Sequence, residues 1–307
     1  MPLVSLIDMY KPANEQAYAI GAFNVNNMEF VQSALEAAEE KKSPIILSAS
    51  TSALKYGSFF YLVDLVKAGA AKVSVPVALN LDHGASIEEA EKCINAGFTA
   101  VMIDASHEDF EENIRMTAEV VKMAKPKNIC VEAELGRLGG IEDDVNVDDK
   151  DAFLTDPAQA EDFVKRSGCN ALAVAVGTSH GAYKFKSEAK LAMSRIADIK
   201  MRTGIPLVLH GASGVDPETV AKAIKYGAEL PGAKGVPDEA YREAISLGIN
   251  KINIDTDLRL AWVASVREIL ANSPKVFDPR KILGPARDAV KKVIMNKMDI
   301  IGSTGKS

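Results

Sequence analysis

Four histidines occur in 307 residues, and three of them, His83, His180 and His210, are each followed by glycine. With glycine near 7% of average usage, that coincidence arises by accident roughly once in a thousand. The three are too far apart for a zinc finger or an H-E-x-x-H helix, so a shared ion requires the fold to bring them together. Three neutral imidazoles and an open fourth position suit a catalytic Zn²⁺; the alternative is three separate hydrogen-bonded core histidines. His107, inside Ser106-His107-Glu108-Asp109, has no following glycine and reads as a surface or loop residue. Polar side chains also end several apolar runs: Asn80 and Asp82, Asp104, Glu132 and Glu134, Thr178 and Ser179 before His180, and Asn253, Asp255 and Asp257. Residues two apart on a strand share a face. Burying unpaired carboxylates costs too much to be incidental, so a metal, cations or a ligand must meet them.

The runs carrying these side chains cover 18–23, 45–49, 77–81, 100–104, 129–135, 171–177, 207–210 and 251–255, and helical patterns alternate with them. Asn26-Asn27-Met28-Glu29, Ser86-Ile87-Glu88-Glu89 and Ser106-His107-Glu108-Asp109 read as helix caps, while Asp156-Pro157 and Asp216-Pro217 put proline at a first helical position. Eight β-then-α units imply a parallel sheet, and eight strands close a barrel. The expected fold is therefore α/β, a single (β/α)8 TIM barrel over residues 1–307 with an additional C-terminal helical segment over 280–307. An open doubly wound sheet competes, but no G-x-G-x-x-G or G-x-x-x-x-G-K-[ST] motif supports it. Active sites of such barrels sit at the carboxyl-terminal rim, where these polar residues collect. The long connections 136–155 and 178–187 are candidate active-site loops.

Hydrophobic residues make up 47% of the chain and charged residues 25%, enough for a large core. The longest apolar run, 171–176, is far too short to span a bilayer, and no basic stretch precedes an apolar one at the amino terminus. Cys93, Cys130 and Cys169 cannot all pair and lack C-x-x-C spacing, as expected of a reduced, cytoplasmic protein. The net charge of −6 argues against nucleic acid or a membrane as partner, yet allows a small anion in a local site. Gly181 and Gly211 let backbone amides approach such an anion, and the segments 211–214 and 253–256 follow the seventh and eighth strands, the usual phosphate cradle of barrels. Lys184 could add a point charge. Each of these alone would pass for an ordinary turn or a solvated lysine.

Taken in order, several stretches resemble the class II, zinc-dependent fructose-bisphosphate aldolases over nearly the whole chain. They are Gly21-Ala22-Phe23-Asn24, Leu81-Asp82-His83-Gly84, Val101-Met102-Ile103-Asp104-Ala105-Ser106 and Val131-Glu132-Ala133-Glu134-Leu135-Gly136. Gly139-Gly140-Ile141-Glu142-Asp143, Gly177-Thr178-Ser179-His180-Gly181, Leu209-His210-Gly211-Ala212-Ser213-Gly214 and Asn253-Ile254-Asp255-Thr256-Asp257 continue the series. The resemblance implies reversible cleavage of fructose 1,6-bisphosphate to dihydroxyacetone phosphate and glyceraldehyde 3-phosphate in glycolysis and gluconeogenesis. His83, His180 and His210 would hold the zinc, which polarises the ketone and stabilises an enediolate. Asp82 would exchange a proton with the aldehyde oxygen, and Glu142 would move the proton at the carbanion carbon. Asp104 and Glu134 mark a second metal position. Gly181, Lys184, Gly211, Ala212, Ser213, Asn253, Ile254, Asp255 and Thr256 would hold one phosphate, beside a monovalent cation (Na⁺ or K⁺). Ser50 would meet the other phosphate together with Arg280 from a neighbouring subunit of a homodimer or homotetramer; Arg259 is a second candidate for that contact.

Three rivals bear weighing. A lysine Schiff-base aldolase needs an amine buried in the rim, but 171–177 contains no lysine and Lys251 begins its run rather than ending it. A tagatose-bisphosphate aldolase would differ only in the stereochemistry accepted at one carbon. A non-catalytic zinc scaffold would fill all four coordination positions with protein atoms.

Overall fold

The computed structural model describes residues 3–142, 145–147, 153–180, 191–230 and 234–307, and the backbone alone for 139–142, 145–147 and 180. Strands form along the apolar runs: β1 (Ile20–Asn24), β2 (Ile45–Ser50), β3 (Val77–Gly84), β4 (Ala100–Ile103) and β5 (Cys130–Leu135). A hairpin of β6 (Gly139–Glu142) and β7 (Val145–Val147) follows, then β8 (Ala171–Val174), the short β9 (Ser179–His180), β10 (Leu207–Leu209) and β11 (Ile249–Ile254). Eight of these strands pair in parallel and close a barrel in the order β1-β11-β10-β8-β5-β4-β3-β2, as the alternation predicts. The helices are α1 (Leu6–Glu15), α2 (Met28–Lys41), α3 (Thr51–Tyr56), α4 (Phe59–Ala70), α5 (Ile87–Ala96) and α6 (Phe110–Ala124), then α7 (Pro157–Ser167), α8 (Met193–Thr203), α9 (Pro217–Lys225), α10 (Asp238–Ser246), α11 (Thr256–Asn272) and α12 (Pro279–Ile300).

Period-two alternation divides each strand between two cores. Phe23, Leu47, Leu81, Val101, Val131, Leu172, Leu209 and Ile252 point outward and pack with the helices. Ile20, Ala22, Ile46, Ala78, Met102, Cys130, Ala173 and Val208 point inward, where Leu6, Met9, Tyr10 and Ala13 of α1 join them. α1 precedes the first β-then-α unit and is not among the helices the alternation predicts, although its apolar residues recur at helical spacing. Burying such side chains is worth about 1.5–3 kcal/mol each, enough to hold a short helix that would be marginal alone. Small apolar residues and α1 thus fill the amino-terminal half of the interior. The same inward parity continues toward the other end as Asn24, Ser48, Asn80, Asp82, Glu132, Glu134, Lys251 and Asn253, all buried.

The expected C-terminal helix is α12, which lies on α2 and α11; Ser33 Oγ donates to the Arg287 carbonyl at 2.9 Å and the Ala19 amide to the Ile301 carbonyl at 3.2 Å. The caps Ser86, Asp156 and Asp216 stand as expected, while the cap of α2 falls one residue later than the Asn26/Glu29 spacing implies, at Asn27, which accepts from the Phe30 amide. Two further expectations need correction. The N-cap of α6 is Asp109, accepting from the Glu112 amide at 2.9 Å, while the Ser106 amide is drawn to Asp104 Oδ1 at 3.1 Å. The run 171–177 stops being strand at Val174, and Gly177 takes φ +102°. His180 therefore lies in β9, which pairs with β6 of the hairpin, and not at the end of a barrel strand. Among the described residues no helix is long and apolar enough to cross a membrane.

Candidate active site and metal centre

β3 delivers two neighbouring side chains to one place, which a regular strand cannot do. Asp82 points inward by parity; His83 should point outward with Leu81. The strand is irregular between Leu81 and Gly84, and His83 adopts φ +48°. This local distortion turns its ring to the rim. A histidine at positive φ is uncommon, and such strain tends to collect at functional positions. Asp82 is clamped by two amides: Asn24 Nδ2 donates to Oδ2 and Asn253 Nδ2 to Oδ1, both at 2.8 Å.

The His83 ring reaches Asp104 Oδ2 through Nδ1 at 2.7 Å and His210 Nδ1 through Nε2 at 2.9 Å. His210 reaches Glu132 Oε1 through Nε2 at 2.8 Å, and Lys251 Nζ donates to Glu132 Oε2 at 2.6 Å. Each ring therefore has its outer nitrogen on a buried carboxylate, while the two inner nitrogens face each other. Carboxylates accept, so the outer nitrogens carry hydrogen.

Charge is concentrated here. Burial opposes ionisation of His83, but the hydrogen bond and charge of Asp104, with Asp82 and Glu134, outweigh it and hold its pKa well above the ordinary value. Burial likewise opposes ionisation of Asp104, yet His83 and Ser106 hold it low. Burial would raise Glu132 too, but the Lys251 charge, followed by His210, brings it to about 2. Burial lowers the pKa of His210, against the hydrogen bond it donates to Glu132. Glu134 is raised well above the carboxylate range by burial and by the charge of Asp104. Its Oε2 has no hydrogen-bond partner among the described residues, and His83 Nδ1 lies 3.8 Å away. Two groups have ligand atoms close enough to share an ion: Asp82, His83 and His210, and His83, Asp104 and Glu134. Imidazole nitrogen and carboxylate oxygen suit Zn²⁺, and a divalent ion would compensate the crowded carboxylates, so the residues present fit that metal.

The glycine-rich turn after β10 is built for close approach. Gly211 has φ +58°, and a Cβ there would stand 2.7 Å from the Ser179 backbone, so glycine lets β9 rest on the turn. Tyr241 from α10 donates to the Ala212 carbonyl. The Asp255 amide donates to Ser213 Oγ at 3.3 Å, which ties the turn to the start of α11 at Thr256. The Gly214 and Val215 amides donate to Asp257 at 2.8 and 2.5 Å, holding a β-branched residue at φ +51°, with Lys297 Nζ 3.4 Å behind Asp257. Backbone turns beside a helix N-terminus favour anions. Ile254 turns its side chain into the outer core, so only its backbone can serve a ligand.

The remaining candidates divide. Ser50 lies on the rim opposite Asp82 in the β2–β3 register and also N-caps α3 through the Ala53 amide, while Ser48, one layer deeper, accepts from Asn80 at 3.3 Å. The Arg259 side chain is 43% exposed and binds Asp255 at 2.6 Å. Arg280, with an 89% exposed side chain, stands on the surface and binds Asp278 at 2.9 Å. Gly181 and Lys184 lie outside the described residues, as do the side chains of His180 and Glu142. His107 is exposed beside Glu108, as expected. Sequence reasoning missed Asn24, Asp257 as a clamp, and the bond between Glu132 and Lys251. Asn24 carried a readable signal, since it shares the inward parity of Asn80 and Asn253.

A family model for fructose-bisphosphate aldolase class-II matches residues 4–229 and 230–306. The fructose-bisphosphate aldolase of Thermus caldophilus is 53% identical over 305 residues, covering 99% of this chain and 100% of that protein. The fructose-bisphosphate aldolase of Helicobacter pylori strain J99 is 48% identical over 295 residues, 96% of each. The crystal structure of the YdjI aldolase from Escherichia coli K12 superposes with a TM-score of 0.81 at 36% identity, covering 99% of both chains.

Proposed function

Because the chain belongs to the class II fructose-bisphosphate aldolase family, we propose that it cleaves fructose 1,6-bisphosphate reversibly to dihydroxyacetone phosphate and D-glyceraldehyde 3-phosphate, as one catalytic unit over residues 1–307. The observation that carries the reading is the pair of imidazoles with inner nitrogens 2.9 Å apart beside the doubly clamped Asp82. His83 and His210, with His180, would hold a zinc ion, and Asp104 with Glu134 a second divalent position. When bound, the zinc supplies Lewis-acid polarisation of the substrate ketone.

The protein's own groups do the rest. Asp82, fixed by Asn24 and Asn253, takes the proton from the substrate hydroxyl in cleavage and returns it in condensation. Glu142, in β6, moves the proton at the nascent carbanion carbon. The turn from Gly211 to Ser213, with Gly181, Lys184 and the segment 253–256, binds one phosphate beside a monovalent cation. Ser50 meets the other with Arg280 of a neighbouring copy, which makes the working protein a homodimer or homotetramer in the cytoplasm. Lys251, fully buried and ion-paired to Glu132, offers no support for a Schiff base.

A coupled aldolase assay before chelation, after chelation and after zinc is returned tests the reading. Activity should vanish and recover; indifference to chelator rejects the metal. Preferential cleavage of the tagatose isomer in competition would overturn the substrate assignment.

A further inference from the structure

The interior of this barrel is apolar until the layer of Glu132 and Lys251, where it holds a full ion pair at 0–1% exposure. A hydrophobic pair of similar volume would fill that space at lower desolvation cost, so packing does not account for these residues. Their geometry does. Glu132 divides its two oxygens: Oε2 accepts from Lys251 Nζ at 2.6 Å, and Oε1 faces His210 Nε2 at 2.8 Å.

We propose that Lys251 and Glu132 form a positioning pair that fixes the Nε2–H tautomer of His210 and so turns its Nδ1 lone pair toward the bound divalent cation. The inference rests on the reading of His210 as a metal ligand. The ammonium balances the carboxylate, so Glu132 stays ionised without taking up a proton and remains an acceptor toward Nε2–H. His83 and Asp104 form the matching pair across the site, with outer Nδ1 and Oδ2 2.7 Å apart. The His83 pair lies at the rim, whereas the His210 pair is anchored deeper by a lysine that cannot reach solvent. Without Lys251 the carboxylate would stand unbalanced against a neutral imidazole, and Nδ1 would be held only from its own side, by His83 Nε2 at 2.9 Å and Asn253 Nδ2 at 3.3 Å.

Two measurements decide it. In metal-free wild-type protein labelled with ¹⁵N-histidine, the ring of His210, identified by its absence in His210→Ala, should show hydrogen on Nε2; hydrogen on Nδ1 overturns the proposal. This needs no folding of a Lys251 variant. Zinc affinity by competition with a chromophoric chelator should fall about 10- to 100-fold in Lys251→Met. It should recover most of that loss in Lys251→Met/Glu132→Gln, whose uncharged amide oxygen still accepts from Nε2–H. Wild-type affinity in Lys251→Met, or a double variant as weak as the single, overturns the pair. His210→Ala separates the two levels. Undiminished zinc affinity there removes His210 from the ligand set, whereas a large loss there beside an unaffected Lys251→Met rejects the positioning role alone.

Discussion

Single residues carried most of what was legible about the site, because a carboxylate or imidazole in a strand buried on both faces has no ordinary reason to be there. Asp82, Asp104, Glu134 and His210 were found that way, and the structure places them together. Partners were harder to read. Lys251 and Glu132 are more than a hundred positions apart in the chain, and nothing local announces that one balances the other. Gly211 has two independent reasons to be glycine, its φ of +58° and the Ser179 backbone 2.7 Å from any Cβ. Gly211→Ala should cost about 1–2 kcal/mol for the left-handed conformation alone, and more through displacement of β9, read as a lower urea midpoint. Because the turn is assigned to phosphate, KM for dihydroxyacetone phosphate should rise in the same variant; an unchanged midpoint and KM would contradict both assignments. Glu142→Ala should keep its zinc while losing proton exchange at the carbon next to the ketone of dihydroxyacetone phosphate, and normal exchange would remove its assigned role.

At the scale of elements, the eight barrel strands could be read because each is a short apolar run set apart by helical spacing. The small sheet of β7, β6 and β9 could not, since its glycine- and acid-rich stretch lacks the alternation that marks a strand. α1 escaped notice for a different reason: it precedes the first β-then-α unit and belongs to no repeat. Its anchoring includes Lys200 of α8, whose Nζ donates to Asn14 Oδ1 at 2.6 Å, Asn250 Oδ1 at 3.0 Å and the Ile205 carbonyl at 2.9 Å. Burial lowers the pKa of Lys200 from 10.5 to about 8. Below pH 8 the amine is charged in both states, and folding bears the full penalty of partly burying the charge. Between about 8 and 10.5 the unfolded chain binds the proton that the folded one has released, so stability attributable to Lys200 rises with pH. Relative to Lys200→Met, wild type should therefore gain stability across that window in urea titrations. A constant difference would show that the amine is not desolvated.

For the whole molecule, the carboxylates gathered at one end of the barrel and the exposed surface around Arg280 make separate demands. Asp82, Asp104, Glu132 and Glu134 share one buried region, and among the described residues Lys251 is the lysine buried with them. A zinc ion that binds only the folded state stabilises it by about 2.7 kcal/mol at a hundredfold excess over Kd, a melting increase of about 4 °C for a chain of this size. Chelated protein should lose that increase, and a melting point independent of zinc would place the ion elsewhere. The proposed contact between copies is tested through Arg280, whose side chain is 89% exposed and tethered to Asp278 at the start of α12. An arginine so placed has the reach and the charge to meet a phosphate in another copy's rim. Arg280→Ala alone should raise KM for the sugar bisphosphate while leaving zinc content intact, and Asp82→Ala alone should be inactive. When the two variants are unfolded together and reassembled, some Arg280→Ala sites will face an intact Arg280 from an Asp82→Ala subunit. Those sites hold every group assigned to the reaction, so the mixture should regain activity with near wild-type KM. If the arginine instead serves its own chain, no hybrid contains a complete site, and mixing leaves the raised KM unchanged.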